Sequence, residues 1–183
     1  MSSLLIKSES KLIASSVDLT AGKSESNRVL LIRALCGQNF EIENLATAKD
    51  TQTMMDLLAS KERVKDVGPA GTTMRFLTAY YANTPGEYLI TGSERMKQRP
   101  IKILVDALRT LGAEIEYTEQ EGCPPLKIIG KKLNGGTVHI DGSVSSQYLS
   151  ALMMIGPTLE GGLNLVLEGK VASVPYLSMT LKL

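Results

Sequence analysis

Three short turns in this sequence set glycine and hydroxyl side chains immediately ahead of a segment that reads as a helix. They are Ala21-Gly22-Lys23-Ser24, Ala70-Gly71-Thr72-Thr73 and Asp141-Gly142-Ser143-Val144-Ser145-Ser146. The first turn of a helix exposes unpaired backbone N–H groups carrying a partial positive charge, and glycine lets an anion come close to them. Ser and Thr hydroxyls add donors without adding charge. Lys23 and Arg28 accompany the first turn and Arg75 the second. Ordinary helix capping by Ser and Thr would use the same residue types. Three such turns, two with cations nearby, point further, to a phosphate or carboxylate ligand. Gly22-Lys23-Ser24 is not the end of a nucleotide P-loop, because that motif needs glycine five positions before Gly22, where Val17 stands.

A second cationic feature is Arg95-Met96-Lys97-Gln98-Arg99-Pro100. It can be a solvated basic loop, or a clamp on an anion, since the planar guanidinium fork matches carboxylate and phosphate. Arg99, beside Pro100 at a fixed helix start, suits the clamp better than Arg95. His139 lies in an alternating strand and reads as structural. Cys36 reads as a core residue at a helix end, and Cys123 as a loop thiol with nothing to activate it. Met54, Met55, Met153 and Met154 fit core filling. No paired carboxylates, no Ser/His/Asp arrangement and no metal-ligand cluster can be picked out of the sequence, so no metal site is expected.

The elements that must position these residues alternate along the chain. Lys11–Leu19 suits a strand, Ser26–Cys36 a helix, Phe40–Leu45 a short strand and Asp50–Leu58 a helix with Asp50 and Thr51 as potential caps. Gly71–Tyr81 reads as helix and Tyr88–Thr91 as strand. Pro100 opens the clearest helix, with Ile101, Leu104, Val105, Leu108 and Leu111 at helical spacing and Gly112 as its cap. Strands follow near Glu114–Tyr117, Leu126–Ile129 and Thr137–Ile140, with Gly130 and Asn134-Gly135-Gly136 as turns. Gln147–Ile155 is apolar nearly all round and must be enclosed by the fold. Leu163–Leu167 reads as strand, and Pro175 begins a last helix that reaches Leu183 with no stop signal. Recurrence of the glycine-hydroxyl turn after extended segments suggests a copied supersecondary unit, and the mixed order gives an α/β or α+β fold.

Composition sets the outer limits. The 183 residues carry 20 Lys plus Arg against 19 Asp plus Glu, with 43% apolar residues, which is globular and close to neutral. No generally basic surface for nucleic acid follows, and no apolar run approaches the roughly 20 residues of a membrane span. The start, Met-Ser-Ser-Leu-Leu-Ile-Lys, has no basic leader before a signal-type apolar core, so a soluble cytoplasmic protein is expected. Two distant cysteines and one histidine argue against a disulfide framework or a structural zinc site.

Five ordered motifs then resemble one family, the 5-enolpyruvylshikimate-3-phosphate synthases (3-phosphoshikimate 1-carboxyvinyltransferases). Leu19-Thr20-Ala21-Gly22-Lys23-Ser24-Glu25-Ser26-Asn27-Arg28 resembles the first signature, and Ala70-Gly71-Thr72-Thr73-Met74-Arg75 the glycine-threonine turn. Arg95-Met96-Lys97-Gln98-Arg99-Pro100-Ile101, Asp141-Gly142-Ser143-Val144-Ser145-Ser146-Gln147-Tyr148 and Ser173-Val174-Pro175-Tyr176 resemble three more, in order. The sister enzymes acting on UDP-N-acetylglucosamine share the fold but fit the Lys-Ser-x-Ser-Asn-Arg and Ser-Ser-Gln signatures less well. Differences from the family pattern are Thr20-Ala21-Gly22 for Pro-Gly-Ser, Pro69 for Asn, Phe76 for Pro, and a short stretch between Asp50 and Gly71.

The resemblance implies cofactor-free transfer of an enolpyruvyl group from phosphoenolpyruvate to the 5-hydroxyl of shikimate 3-phosphate. It implies Lys23 as a catalytic residue touching both substrates. Shikimate 3-phosphate would meet Ser24, Arg28, Ser145, Ser146, Gln147, Ser173 and Tyr176. Phosphoenolpyruvate would meet Gly71, Arg99 and Gln147. The family enzyme is about twice this long, with two domains of repeated βαβαββ units. Residues 1–19 are then expected to belong to the other domain, and 20–183 to one substrate-binding domain whose last unit is cut short. The missing second domain is an implied partner. The full-length family form would be a monomer, while the open face of this shorter chain is available for a dimer. The competing reading is a non-enzymatic phosphate-binding or assembly module complete at 183 residues, with a capped last helix and a stable dimer.

Overall fold

The computed structural model describes residues 3–5, 7, 9 and 14–183. Two helices come first: α1, Lys23–Cys36, and α2, Lys49–Ala59. A complete β-α-β-α-β-β run follows. It consists of β1 (Val64–Asp66), α3 (Gly71–Ala82), β2 (Gly86–Thr91), the one-turn α4 (Glu94–Lys97), α5 (Lys102–Thr110), β3 (Glu114–Tyr117) and β4 (Leu126–Gly130). A second run then supplies β5 (Asn134–Asp141), α6 (Ser146–Ile155), a 3₁₀ turn at Gly156–Thr158, β6 (Glu160–Glu168) and α7 (Val174–Lys182). The first run forms a sheet in the order β1-β2-β4-β3, with β1 and β2 parallel and β4 antiparallel to both neighbours. In the second, β5 and β6 pair in parallel. This is an α/β fold of mixed sheets with helices, and the helix after each first strand begins at one of the glycine-hydroxyl turns.

Helix α3 lies at the centre, packed on α1, α2, α5 and α6. Met74, Phe76 and Leu77 are fully buried, each stabilising the fold by about 1.5–3 kcal/mol. Its polar residues can be buried because they bond within their own helix: Thr78 Oγ1 donates to the Met74 carbonyl and Arg75 Nη1 to the Gly71 carbonyl. The enclosure expected of α6 is present, with Leu149, Ala151, Leu152 and Ile155 fully buried. Helix α5 ends in the cap its glycine announces. Gly112, at φ +93°, donates to Arg109 O while Ala113 N donates to Leu108 O, the paired bonds of a Schellman turn.

Several expectations need correction. Phe40–Leu45 is not a strand: Asn44 takes a left-handed φ of 54°, and the segment is tied instead to the start of α1 by Ala21 N donating to Asn44 O. Of Lys11–Leu19, the first three residues lie outside those described, and residues 14–19 are exposed without a ladder, since an extended segment needs a partner to become a strand. Pro100 is not the first residue of α5, which starts at Lys102; the Pro100 carbonyl instead accepts from Tyr148 Oη and Arg75 Nη2. Asn134-Gly135-Gly136 is the beginning of β5, drawn into the ladder by the length of β6. The cap position of α2 is Ala48, while Asp50 faces Lys23. Cys36 is exposed, because the buried face of α1 ends near Leu31, and Cys123 is buried.

Candidate functional site

The first turns of four helices meet around one recess of about 210 Å³. Ser24 comes from α1, Thr72 from α3, Ser145, Ser146 and Gln147 from α6, and Tyr176 from α7, with Arg28 one turn further along α1. Three of these helices start without any side-chain cap, at Gly22, Ala70 and Ser173. Only at α6 does a side chain serve the purpose, Ser145 Oγ accepting from Gln147 N. Uncapped amides and the positive ends of four helix dipoles make the recess electropositive before any charged side chain is counted. Acidic residues are absent from the first turns of α3, α6 and α7.

Arg28 is 2% exposed. Its Nε donates to Thr180 Oγ1 at 2.7 Å, Nη2 to Ser150 Oγ at 2.7 Å and Nη1 to the Ser24 carbonyl at 2.8 Å. The guanidinium carbon lies 5.3 Å from the Phe76 ring centroid and 5.8 Å from that of Tyr176. Every one of these partners is neutral, and among the described residues no carboxylate pairs with Arg28. Burial lowers its pKa from the ordinary arginine value. A buried, uncompensated guanidinium is costly unless an anion completes it.

Gln147 joins two walls of the recess, its Nε2 donating to Thr72 Oγ1 at 3.0 Å. Gly71 lies beside them at the start of α3. A Cβ there would run into the Arg99 guanidinium and sit 3.2 Å from Arg75 Nη1. Arg99, exposed, also lines a second concavity of about 400 Å³ with Pro69, Ser93, Arg95 and Met96. Arg75, buried behind it, has its pKa lowered first by desolvation and then by Arg99. The sequence segment read as a basic loop is thus partly helical, and Arg99 hangs from the end of α4 with its N–H bonded to Met96 O.

Lys23 is not part of the recess lining. Its Nζ pairs with Asp50 Oδ2 at 3.2 Å, joining the first turns of α1 and α2. Ser173 also stands outside the lining; at φ 54° it sets the turn that aims α7. The structure therefore gathers Ser24, Arg28, Ser145, Ser146, Gln147 and Tyr176, puts Gly71 against Arg99, and leaves Lys23 and Ser173 at the margins. Sequence reasoning missed Thr72, Asp50, Ser150 and Thr180. Thr72 stood in the glycine-hydroxyl turn and Asp50 among the potential helix caps, neither as a site residue, and nothing in the chain marked Ser150 or Thr180. His139 is exposed, with Nδ1 3.0 Å from Glu168 Oε1. Among the described residues no group of three His, Cys, Asp or Glu side chains could hold a metal ion, and no helix is long and apolar enough to cross a membrane.

The family model described as EPSP synthase (3-phosphoshikimate 1-carboxyvinyltransferase) matches residues 58–183. A 3-phosphoshikimate 1-carboxyvinyltransferase of Bacteroides fragilis (strain YCH46) is 53% identical over 171 residues, covering 93% of this chain and 42% of that protein. One from Colwellia psychrerythraea (strain 34H) is 42% identical over 189 residues, with 89% and 44% covered. In fold, the chain resembles EPSP synthase from Acinetobacter baumannii, with a TM-score of 0.73 at 19% identity over 86% of this chain and 41% of that one. The chain spans about two-fifths of the length of these proteins.

Proposed function

The chain belongs to the EPSP synthase family, and from that premise we propose that it supplies one wall of a site for enolpyruvyl transfer from phosphoenolpyruvate to shikimate 3-phosphate. The 5-hydroxyl gives up its proton as it adds to the enol carbon and the methylene takes one; the tetrahedral adduct then loses phosphate together with a methyl proton, which restores the enol double bond. Both reactants are anions. What carries the reading is the recess itself: four helix N-termini and neutral hydroxyls around a buried guanidinium with no carboxylate of its own.

In this reading shikimate 3-phosphate occupies the recess. Its phosphate is held by Ser24, Ser145, Ser146 and Arg28, its ring lies against Tyr176, and Ser173 orients the start of α7. Gly71 and Arg99 take phosphoenolpyruvate, with Arg99 as the fork for its carboxylate or phosphate. Gln147 lies between the two substrates. Lys23, released from Asp50 or shared with it, faces both and stabilises developing charge or moves a proton. Residues 1–19 belong to the second domain, residues 20–183 form the first, and a second wall closes the site in a cytoplasmic two-domain enzyme. No cofactor takes part.

Alone, this chain is a half-site that binds but does not turn over. Amide chemical shifts of the 183-residue chain, titrated with shikimate 3-phosphate, test it. Saturable shifts at Ser24, Ser146 and Tyr176, with no phosphate released when both substrates are present, are expected. Steady phosphate release would overturn the half-site, and no saturation at any concentration would overturn the substrate.

A further inference from the structure

The buried guanidinium is held along its edge by two hydroxyls that arrive from distant parts of the chain. Thr180 lies 152 residues beyond Arg28, and Ser150 lies 122 beyond it. Thr180 is 7% exposed and Ser150 fully buried. The two hydroxyls touch each other at 3.0 Å, and Thr180 Oγ1 also lies 2.8 Å from the Tyr176 carbonyl in the preceding turn of α7. Each hydroxyl oxygen can accept from the guanidinium while its own proton goes elsewhere. Thr180 therefore has a protein partner for every bond it makes, and so does Ser150 as an acceptor.

A carboxylate at either position would bond the same N–H groups more strongly, but it would also cancel their charge. Hydroxyls fix the plane of the guanidinium and leave its positive charge for something else. We propose that Thr180, with Ser150, is a positioning residue for ligand binding: its hydroxyl holds the Arg28 guanidinium at the base of the recess without neutralising it. Because Thr180 stands one turn after Tyr176 on α7, the docking of α7 and the aim of Arg28 are one event. The consequence for ligand rests on the proposed reading that the recess takes shikimate 3-phosphate; the hold on Arg28 does not.

The test uses the 183-residue chain with Thr180→Val, which keeps the shape and removes the oxygen, and Thr180→Ser, which restores it. Two readouts are taken: the Arg28 Nε–H resonance in ¹⁵N spectra, and the shikimate 3-phosphate titration followed at Ser146 and Tyr176. Thr180→Val is expected to lose the slowly exchanging Nε–H signal and to bind about tenfold or more weakly, the loss expected for a hydrogen bond to a charged group. Thr180→Ser is expected to keep the signal and to stay within about threefold of the parent affinity. If Thr180→Val does not fold, Ser150→Ala, which leaves the Thr180–Tyr176 bond within α7 and the Thr180–Arg28 bond intact, is expected to show the same weakening. Overturning results are an unchanged Nε–H signal and affinity in Thr180→Val, or a Thr180→Ser variant as weak as Thr180→Val. A parent chain that ignores shikimate 3-phosphate, yet whose Arg28 signal depends on Thr180, would remove the substrate reading and support the hold on Arg28.

Discussion

Gln147 Nε2 donates to Thr72 Oγ1 at 3.0 Å, tying the first turn of α6 to the first turn of α3. The two turns belong to successive copies of the strand–helix unit, so this bond sets the spacing of the two walls. Replacing Thr72 by Val removes one partly buried hydrogen bond and should destabilise the chain by about 1 kcal/mol in urea unfolding. A double-mutant cycle with Gln147→Ala should return a coupling of about 0.5–1.5 kcal/mol. A coupling of zero would mean that the bond does not hold the walls together.

Gly71 and Arg99 share space that a methyl group would claim. Gly71→Ala meets the far end of a flexible side chain, so Arg99 can swing away and the stability loss should stay within about 1 kcal/mol. The guanidinium would nonetheless leave its place, and phosphoenolpyruvate-induced shifts at residues 71–73 should weaken or vanish. A variant that loses stability but keeps those shifts would contradict this account.

Lys23 and Asp50 form an ion pair whose side chains are 46% and 23% exposed. Such pairs contribute about 0–1 kcal/mol, so Lys23→Met should melt close to the parent. If Lys23 serves the ligand as proposed, the variant's response to shikimate 3-phosphate should fall steeply while stability holds. Equal losses of stability and binding would assign Lys23 a structural role instead.

Tyr117 offers a prediction in pH. Burial pushes its phenol up to about 12, with the Arg109 charge opposing, and its hydroxyl has no hydrogen-bond partner. The unfolded phenol titrates near pH 10. Between about pH 10 and 12 the folded chain thus keeps a proton that the unfolded chain gives up, and stability falls as pH rises through that window. Tyr117→Phe should flatten that part of the slope and, by removing an unpaired buried hydroxyl, raise stability at pH 8 by up to about 1 kcal/mol. The difference between parent and variant isolates Tyr117 from Tyr81, whose phenol is also pushed up by burial. An unchanged alkaline slope would disprove the assignment.

What could be read from the chain follows a physical divide. Helices α5 and α6 were legible because apolar spacing and a terminal glycine are local signals, and so were the three turns that start α1, α3 and α6. The three-residue β1 was not, since Val64-Lys65-Asp66 becomes a strand only beside β2. Phe40–Leu45 has strand composition, but Asn44 bends the backbone and no ladder is available. Within the site, each residue of the recess that lies in a glycine-hydroxyl turn was visible from sequence. The bonds made by Thr180, Ser150 and Asp50 were not, because their importance is a distance, and the partners lie 152, 122 and 27 residues away.

Four helix ends of like polarity crowd the same recess, and like poles repel. Packing in that corner of the fold forces together what charge would separate. Any small multivalent anion that enters acts first as a counter-ion and relieves the repulsion before its identity matters. The melting temperature of the chain should therefore track the buffer, higher in phosphate or sulfate than in chloride at equal ionic strength, through ordinary binding linkage. The fold itself favours negative charge there, whatever molecule carries it.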